Sequence, residues 1–82
     1  MEKDMFYVYI IKSTLKNWSY VGLSQNLLKR LELHNSGGVR STKPYRPFKL
    51  IFAQIVNNRI VARDLEKYLK IKFNKEALLN II

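Results

Sequence analysis

Two apolar runs of strand length, separated by one short polar loop, constrain this chain more than any other feature. Phe6-Tyr7-Val8-Tyr9-Ile10-Ile11 is β-branched and aromatic throughout. Trp18-Ser19-Tyr20-Val21-Gly22-Leu23 resumes that character after Lys12-Ser13-Thr14-Leu15-Lys16-Asn17. Such a pair folds back on itself as an antiparallel hairpin. Side chains alternate along a strand, so Tyr7 and Tyr9 share one face and Phe6, Val8 and Ile10 the other. Tyr20 and Gly22 likewise share a face, opposite Val21 and Leu23. In a chain of 82 residues there is no room for a second core or for a helix-covered parallel sheet, so the hairpin belongs to one small domain spanning 1–82.

The rest of the chain supplies two helices and a third strand. Ser24 and Asn26 each suit a helix N-terminus, where a side-chain oxygen accepts from open backbone N–H groups. From Asn26 to about Asn35, Leu27, Leu28 and Leu31 recur at helical spacing, and Asn35-Ser36-Gly37-Gly38 ends the helix. Residues 39–47, with Pro44 and Pro47, form a loop. Phe48 to Val56 is the strongest strand, and Asn57-Asn58 makes a turn. Arg59 to about Phe73 is a helix with Val61, Leu65, Leu69 and Phe73 at every fourth position. Residues 75–82 extend that helix or form a short last one. The order β-β-α-β-α predicts an α+β domain with a small antiparallel sheet. No linker, repeat or low-complexity tract interrupts it.

Charge narrows the function. Lys and Arg number 15 against 6 Asp and Glu, a net +9, and so large an excess on so small a surface implies a polyanionic partner, most often nucleic acid. A content of 48% hydrophobic and 26% charged residues is globular and excludes a disordered tail. The absence of cysteine excludes a disulfide scaffold and a thiolate zinc site. The apolar run at 6–11 is too short for a secretory core, and no stretch has the length of a membrane span. The expectation is a cytoplasmic protein with no membrane partner.

Three groups of residues exceed what a bare fold needs. Tyr9 and Tyr20 share the hairpin's tyrosine face, where Gly22 leaves the sheet open to a closely approaching backbone. Arg30 and His34 lie one helical turn apart, pairing a planar fork for phosphate oxygens with a group able to position or deprotonate a nucleophile. Glu66 sits beside the apolar stripe of a helix that carries Arg59, Arg63, Lys67 and Lys70. One carboxylate with substrate phosphates and waters is a common way to hold Mg²⁺. Glu32 and Glu76 lack this setting. Arg40, Lys43, Arg46 and Lys49 add a loop free of acids, interleaved with Tyr45 and Phe48, suited to phosphate contact and base stacking. Taken singly, each group is also ordinary. Tyrosine favours strands, basic helix faces are solvated, and a carboxylate among cations forms ion pairs.

Taken together, the residues resemble the GIY-YIG nuclease superfamily, and within it the small single-domain members. They are also similar to the nuclease domain at the N-terminus of the bacterial excision-repair incision subunit. Tyr7-Val8-Tyr9 matches the first motif, with Tyr7 in place of its glycine, and Tyr20-Val21-Gly22 matches the second. Asn26-Leu27-Leu28-Lys29-Arg30-Leu31 with His34-Asn35-Ser36-Gly37 resembles the arginine helix and the turn after it. Thr42 to Leu50 resembles the small single-domain branch, and Ala62, Glu66 and Leu69-Lys70 match the surroundings of the family's metal-binding glutamate.

The resemblance covers about residues 5–73 and implies a three-stranded antiparallel sheet flanked by helices. It implies a DNA endonuclease, serving repair or recombination, with one divalent cation, Mg²⁺ or Mn²⁺, held by Glu66. Arg30 would neutralise charge on the phosphoryl oxygens. Tyr20 would orient or deprotonate the attacking water, with Tyr9 and His34 completing the hydrogen-bond network. Tyr20, His34 and a hydroxide on the metal all stand as proton acceptors. Arg40, Lys43, Arg46, Lys49, Arg63 and Lys70 would bind the DNA, and a partner protein would supply specificity. The alternative is a non-catalytic nucleic-acid-binding module using the same basic surface.

Overall fold

The central strand has apolar side chains on both faces, and the fold follows from covering each of them. In the computed structural model, residues 5–71 are described. They form β1 (Phe6–Ser13), β2 (Ser19–Ser24), α1 (Leu27–Ser36), a 3₁₀ turn (Lys43–Tyr45), β3 (Phe48–Val56) and α2 (Arg59–Lys70). The sheet order is β2-β1-β3 with every pair antiparallel. The three-stranded α+β architecture expected from the sequence is the one observed. Phe73 and the segment 75–82 lie outside the described residues.

Phe6, Val8, Ile10 and Val21 bury against Ala62 and Leu69 of α2. On the opposite face Tyr9, Ile11 and Phe48 pack with Leu27 and Leu31 of α1 and with Trp18, Tyr20 and Tyr45. The register of β3 shifts between Ile10, opposite Phe52, and Ile11, opposite Leu50. This bulge turns Ile51 and Phe52 to the same α2 face, where both meet the core.

The helix ends are built as their residues dictate. Oδ1 of Asn26 accepts from Lys29 N at 3.1 Å, and Oδ1 of Asn58 accepts from Ile60 N at 2.8 Å and Val61 N at 3.1 Å. Gly37 closes α1 at φ 87°, a left-handed conformation open to glycine, and Gly38 N donates back to Leu33 O at 2.8 Å.

Two details of the helix faces differ from the expected spacing. Val61 is 52% exposed; Ala62 takes its place against the sheet, because its small side chain lets α2 approach closely. Leu28 is also exposed, leaving Leu27 and Leu31 to cover the α1 face.

Asn35 has a role that its position did not announce. Its Oδ1 accepts from Phe48 N at 2.6 Å and its Nδ2 donates to Phe48 O at 3.5 Å. The side chain thus stands in for a strand neighbour at the first residue of β3 and ties that strand to α1.

Candidate active site

At one end of the sheet, where β2 finishes and α1 begins, a groove of about 720 Å³ opens between α1 and α2. Four cations, Arg30, Arg59, Arg63 and Lys70, surround one carboxylate, Glu66, beside apolar Phe6 and Leu23. Arg30 comes from the first turn of α1, and Arg59, Arg63, Glu66 and Lys70 come from one flank of α2. Glu66 is half-buried because it follows Ala62 by one helical turn and so lies next to the stripe that faces the sheet. Nζ of Lys70 pairs with its Oε2 at 3.1 Å. Arg59, which the sequence placed in this helix without a role, is part of the groove.

Tyr9, Tyr20 and His34 do not line this groove. Tyr9 and His34 are each 1% exposed, sealed between the sheet and α1, while Tyr20 is half-buried. The register sets Tyr9 opposite Gly22 and Tyr20 opposite Ile11, so the two tyrosines are diagonal rather than side by side. They meet through His34, whose ring centroid is 5.8 Å from that of Tyr9 and 5.3 Å from that of Tyr20. The space over Gly22 is taken by Tyr9 itself, since a Cβ there would overlap the hydroxyl end of its ring. That glycine admits a neighbouring side chain, not a substrate backbone.

A chain of hydrogen bonds fixes the histidine. The Tyr9 hydroxyl lies 2.8 Å from Nε2 of His34, Nδ1 lies 2.9 Å from Oγ1 of Thr42, and Oγ1 donates to Val39 O at 3.3 Å. Each hydroxyl has one proton to give. The network therefore closes with Nδ1–H donating to Thr42, Thr42 to the carbonyl, and Tyr9 to Nε2.

The electrostatics agree with a neutral chain. Burial, reinforced by Tyr20 and Glu66 and opposed by Arg30, pushes the Tyr9 hydroxyl well above the ordinary tyrosine range. Burial, then the positive charge of Arg30, lowers the pKa of His34. Tyr9 thus lies within electrostatic reach of Tyr20, Arg30 and Glu66. Thr42, fully buried, is the residue the sequence reading missed, and a threonine in a proline-containing loop carries no signal of this contact.

The loop aromatics are engaged inside the fold. Tyr45 stacks on Trp18 with centroids 3.9 Å apart and planes 8° apart, and Lys16 Nζ sits 5.2 Å from the Tyr45 ring centroid. Phe48 is buried. These rings lock the 3₁₀ turn onto the sheet, which corrects the expectation that they stack on bases. Arg40, Lys43, Arg46 and Lys49 are exposed, but none of them lines the groove.

One carboxylate ringed by cations beside a sheet edge has the charge pattern that phosphate esters call for, on a small α+β domain. The chain belongs to the GIY-YIG family, a nuclease family, whose catalytic-domain model matches residues 5–80. It is 37% identical over 71 residues to the UPF0213 protein YazA of Bacillus subtilis, covering 85% of this chain and 71% of that one. It is 35% identical over 79 residues to the UPF0213 protein CPE1444 of Clostridium perfringens, covering 95% and 83%. A third relative, the UPF0213 protein SSP2268 of Staphylococcus saprophyticus, is 32% identical over 81 residues, covering 96% and 95%. No solved structure gives a significant match. No helix among the described residues is long and apolar enough to cross a membrane.

Proposed function

We propose that this chain is a DNA endonuclease that hydrolyses phosphodiester bonds with the aid of one divalent cation, Mg²⁺ or Mn²⁺. The observation that carries the reading is that Arg30 and Glu66, from different helices, wall the same cationic groove. Arg59, Arg63 and Lys70 hold the DNA backbone there by its phosphates. Arg30 presents its planar fork to the non-bridging oxygens and offsets the charge that builds on them in the transition state. Tyr20, at the surface end of the ring cluster, orients the attacking water. Tyr9 and His34 are positioning residues that act through Tyr20, because neither is exposed to substrate.

The donor set fits a metal that keeps most of its shell elsewhere. Among the described residues no group of three His, Cys, Asp or Glu side chains could cage an ion, so Glu66 would give one carboxylate ligand and phosphate oxygens and waters the rest. When bound, the ion supplies Lewis acidity at the scissile phosphate.

The test is cleavage of plasmid, flap and branched DNA with Mg²⁺ or Mn²⁺ against EDTA. The wild type is expected to cut only with metal, and Glu66→Gln to bind DNA at least as well without cutting. Full metal-dependent cleavage by Glu66→Gln removes the metal assignment. Tight binding by the wild type without cleavage of any substrate leaves a binding module as the function.

A further inference from the structure

At the end of the sheet opposite the groove lies a second basic concavity, of about 500 Å³, formed by residues 12–17 with Lys49. It contains Lys12, Lys16 and Lys49 and no acid. Lys12 on β1 stands directly opposite Lys49 on β3. Like charges facing each other across a sheet are destabilising, and the ion pair found among the described residues, Lys70 with Glu66, lies in the groove at the other end of the sheet. A lysine on an edge strand deters pairing with another chain, which accounts for Lys49 on β3. It does not account for Lys12, because β1 is the central strand and has no edge to protect.

The frame around these lysines is fixed. Oγ of Ser13 accepts from Leu15 N at 3.2 Å and from Lys16 N at 3.0 Å, and Ser13 N donates to Trp18 O at 2.9 Å. Thr14 N donates to Pro47 O at 2.9 Å, joining this turn to the loop before β3. The Tyr45 ring holds Lys16 beside them. Three cations are thus presented at and beside an ordered turn with no counter-charge among the described residues, an arrangement that an external anion completes.

We propose that Lys12, Lys16 and Lys49 form a second contact for the phosphate backbone, so that the protein grips duplex DNA at both ends of its sheet. The proposal rests on the nucleic-acid reading of the groove and extends it to a footprint. Phe6 lines the groove and Lys12 the second concavity. Six residue steps along β1 separate them by about 20 Å, or about six phosphates along one strand of B-form DNA. The outer edge of β2 pairs with no strand among the described residues and runs between the two.

The experiment measures binding of the full chain in EDTA to duplexes of about 6, 12 and 18 base pairs across a range of salt. The wild type should bind the longer duplexes with a steeper salt dependence than the shortest. The double variant Lys12→Gln/Lys49→Gln should lose about 1.8 from the log–log salt slope on long duplexes, about 0.9 per contact, and should match the wild type on the shortest. Lys16→Gln, on an exposed turn, should lose about half as much and guards against a folding defect in the double variant. Unchanged slopes on the long duplexes in both variants overturn the second contact, as does loss of binding to anionic vesicles with no loss on DNA. Wild-type cleavage assayed in parallel separates the readings. Cleavage with unchanged slopes sinks only the second contact, and lost slopes without cleavage sink only the nuclease.

Discussion

The hydroxyl of Tyr9 meets Nε2 of His34 at 2.8 Å, and the contact is buried between the sheet and α1. From there the hydrogen bonds lead through Thr42 to the carbonyl of Val39. A carbonyl accepts but passes no proton on, so this chain holds geometry rather than moving charge to solvent. Tyr9 and His34 therefore lie behind the surface rather than on it. Under the proposed function this is a division of labour in which Arg30 and Glu66 would meet the phosphate while Tyr9, His34 and Thr42 hold Tyr20 and α1 in register.

The first prediction concerns acid. His34 has a folded pKa below its unfolded value of about 6.5, so on acidification the unfolded chain takes up the proton first. Its contribution to stability is complete above about pH 6.5 and falls as the pH drops from there to the folded pKa. A one-proton difference costs about 1.4 kcal/mol per pH unit. His34 is the sole histidine, so denaturant unfolding at pH about 7.5, 6.5 and 5.5 reads it directly. In His34→Gln the dependence over that range should flatten.

A second prediction tests why Gly22 is glycine. A methyl group there would overlap the end of the Tyr9 ring, and the ring is wedged against His34. Gly22→Ala should lose about 1–3 kcal/mol of stability, the usual range for overpacking a tight core. Cleavage should fall beyond what the unfolded fraction explains, because Tyr9 must leave its contact. Wild-type stability and activity in Gly22→Ala would contradict the packing role.

The fold was legible because its signals are local. Strand-length apolar runs, Asn caps and the Gly37-Gly38 stop each specify their own segment, and their order leaves one small sheet. Arg30, His34 and Glu66 stand out by residue type and spacing. Contacts between distant segments were not legible in the same way. Nothing in Thr42 or Asn35 alone shows that one binds a histidine and the other a strand end. The bulge at Ile51 breaks the alternation of β3 without a glycine or proline to mark it. The burial of Tyr9 depends on which face α1 covers, and Tyr45 reads as a base-stacking ring until Trp18 is found against it.

The third prediction concerns the arginine. Arg30→Lys keeps the charge in the groove but replaces a rigid fork with a single ammonium. Removing a preorganised transition-state donor costs about 10²-fold or more in turnover. The variant should lose about that much in cleavage rate at saturating DNA, with only a small change in binding in EDTA. A rate within a few-fold of wild type would leave Arg30 as one phosphate clamp among the others in the groove.

The last prediction isolates Thr42. Valine has the shape of threonine but neither accepts from Nδ1–H nor donates to Val39 O, so Thr42→Val leaves the imidazole proton without a partner in a fully buried site. A buried donor left unsatisfied costs about 1–3 kcal/mol. The imidazole can escape that cost by moving its proton to Nε2, but Nε2–H then faces the Tyr9 hydroxyl, which must become an acceptor and give up its own donation. The ¹⁵N shifts of the single histidine should report an Nδ1–H tautomer in the wild type and in Thr42→Ser, which keeps the hydroxyl. In Thr42→Val they should report the Nε2–H form or a mixture, together with reduced cleavage and unchanged DNA binding. A merely structural threonine would lose stability in both variants and leave the tautomer as it was.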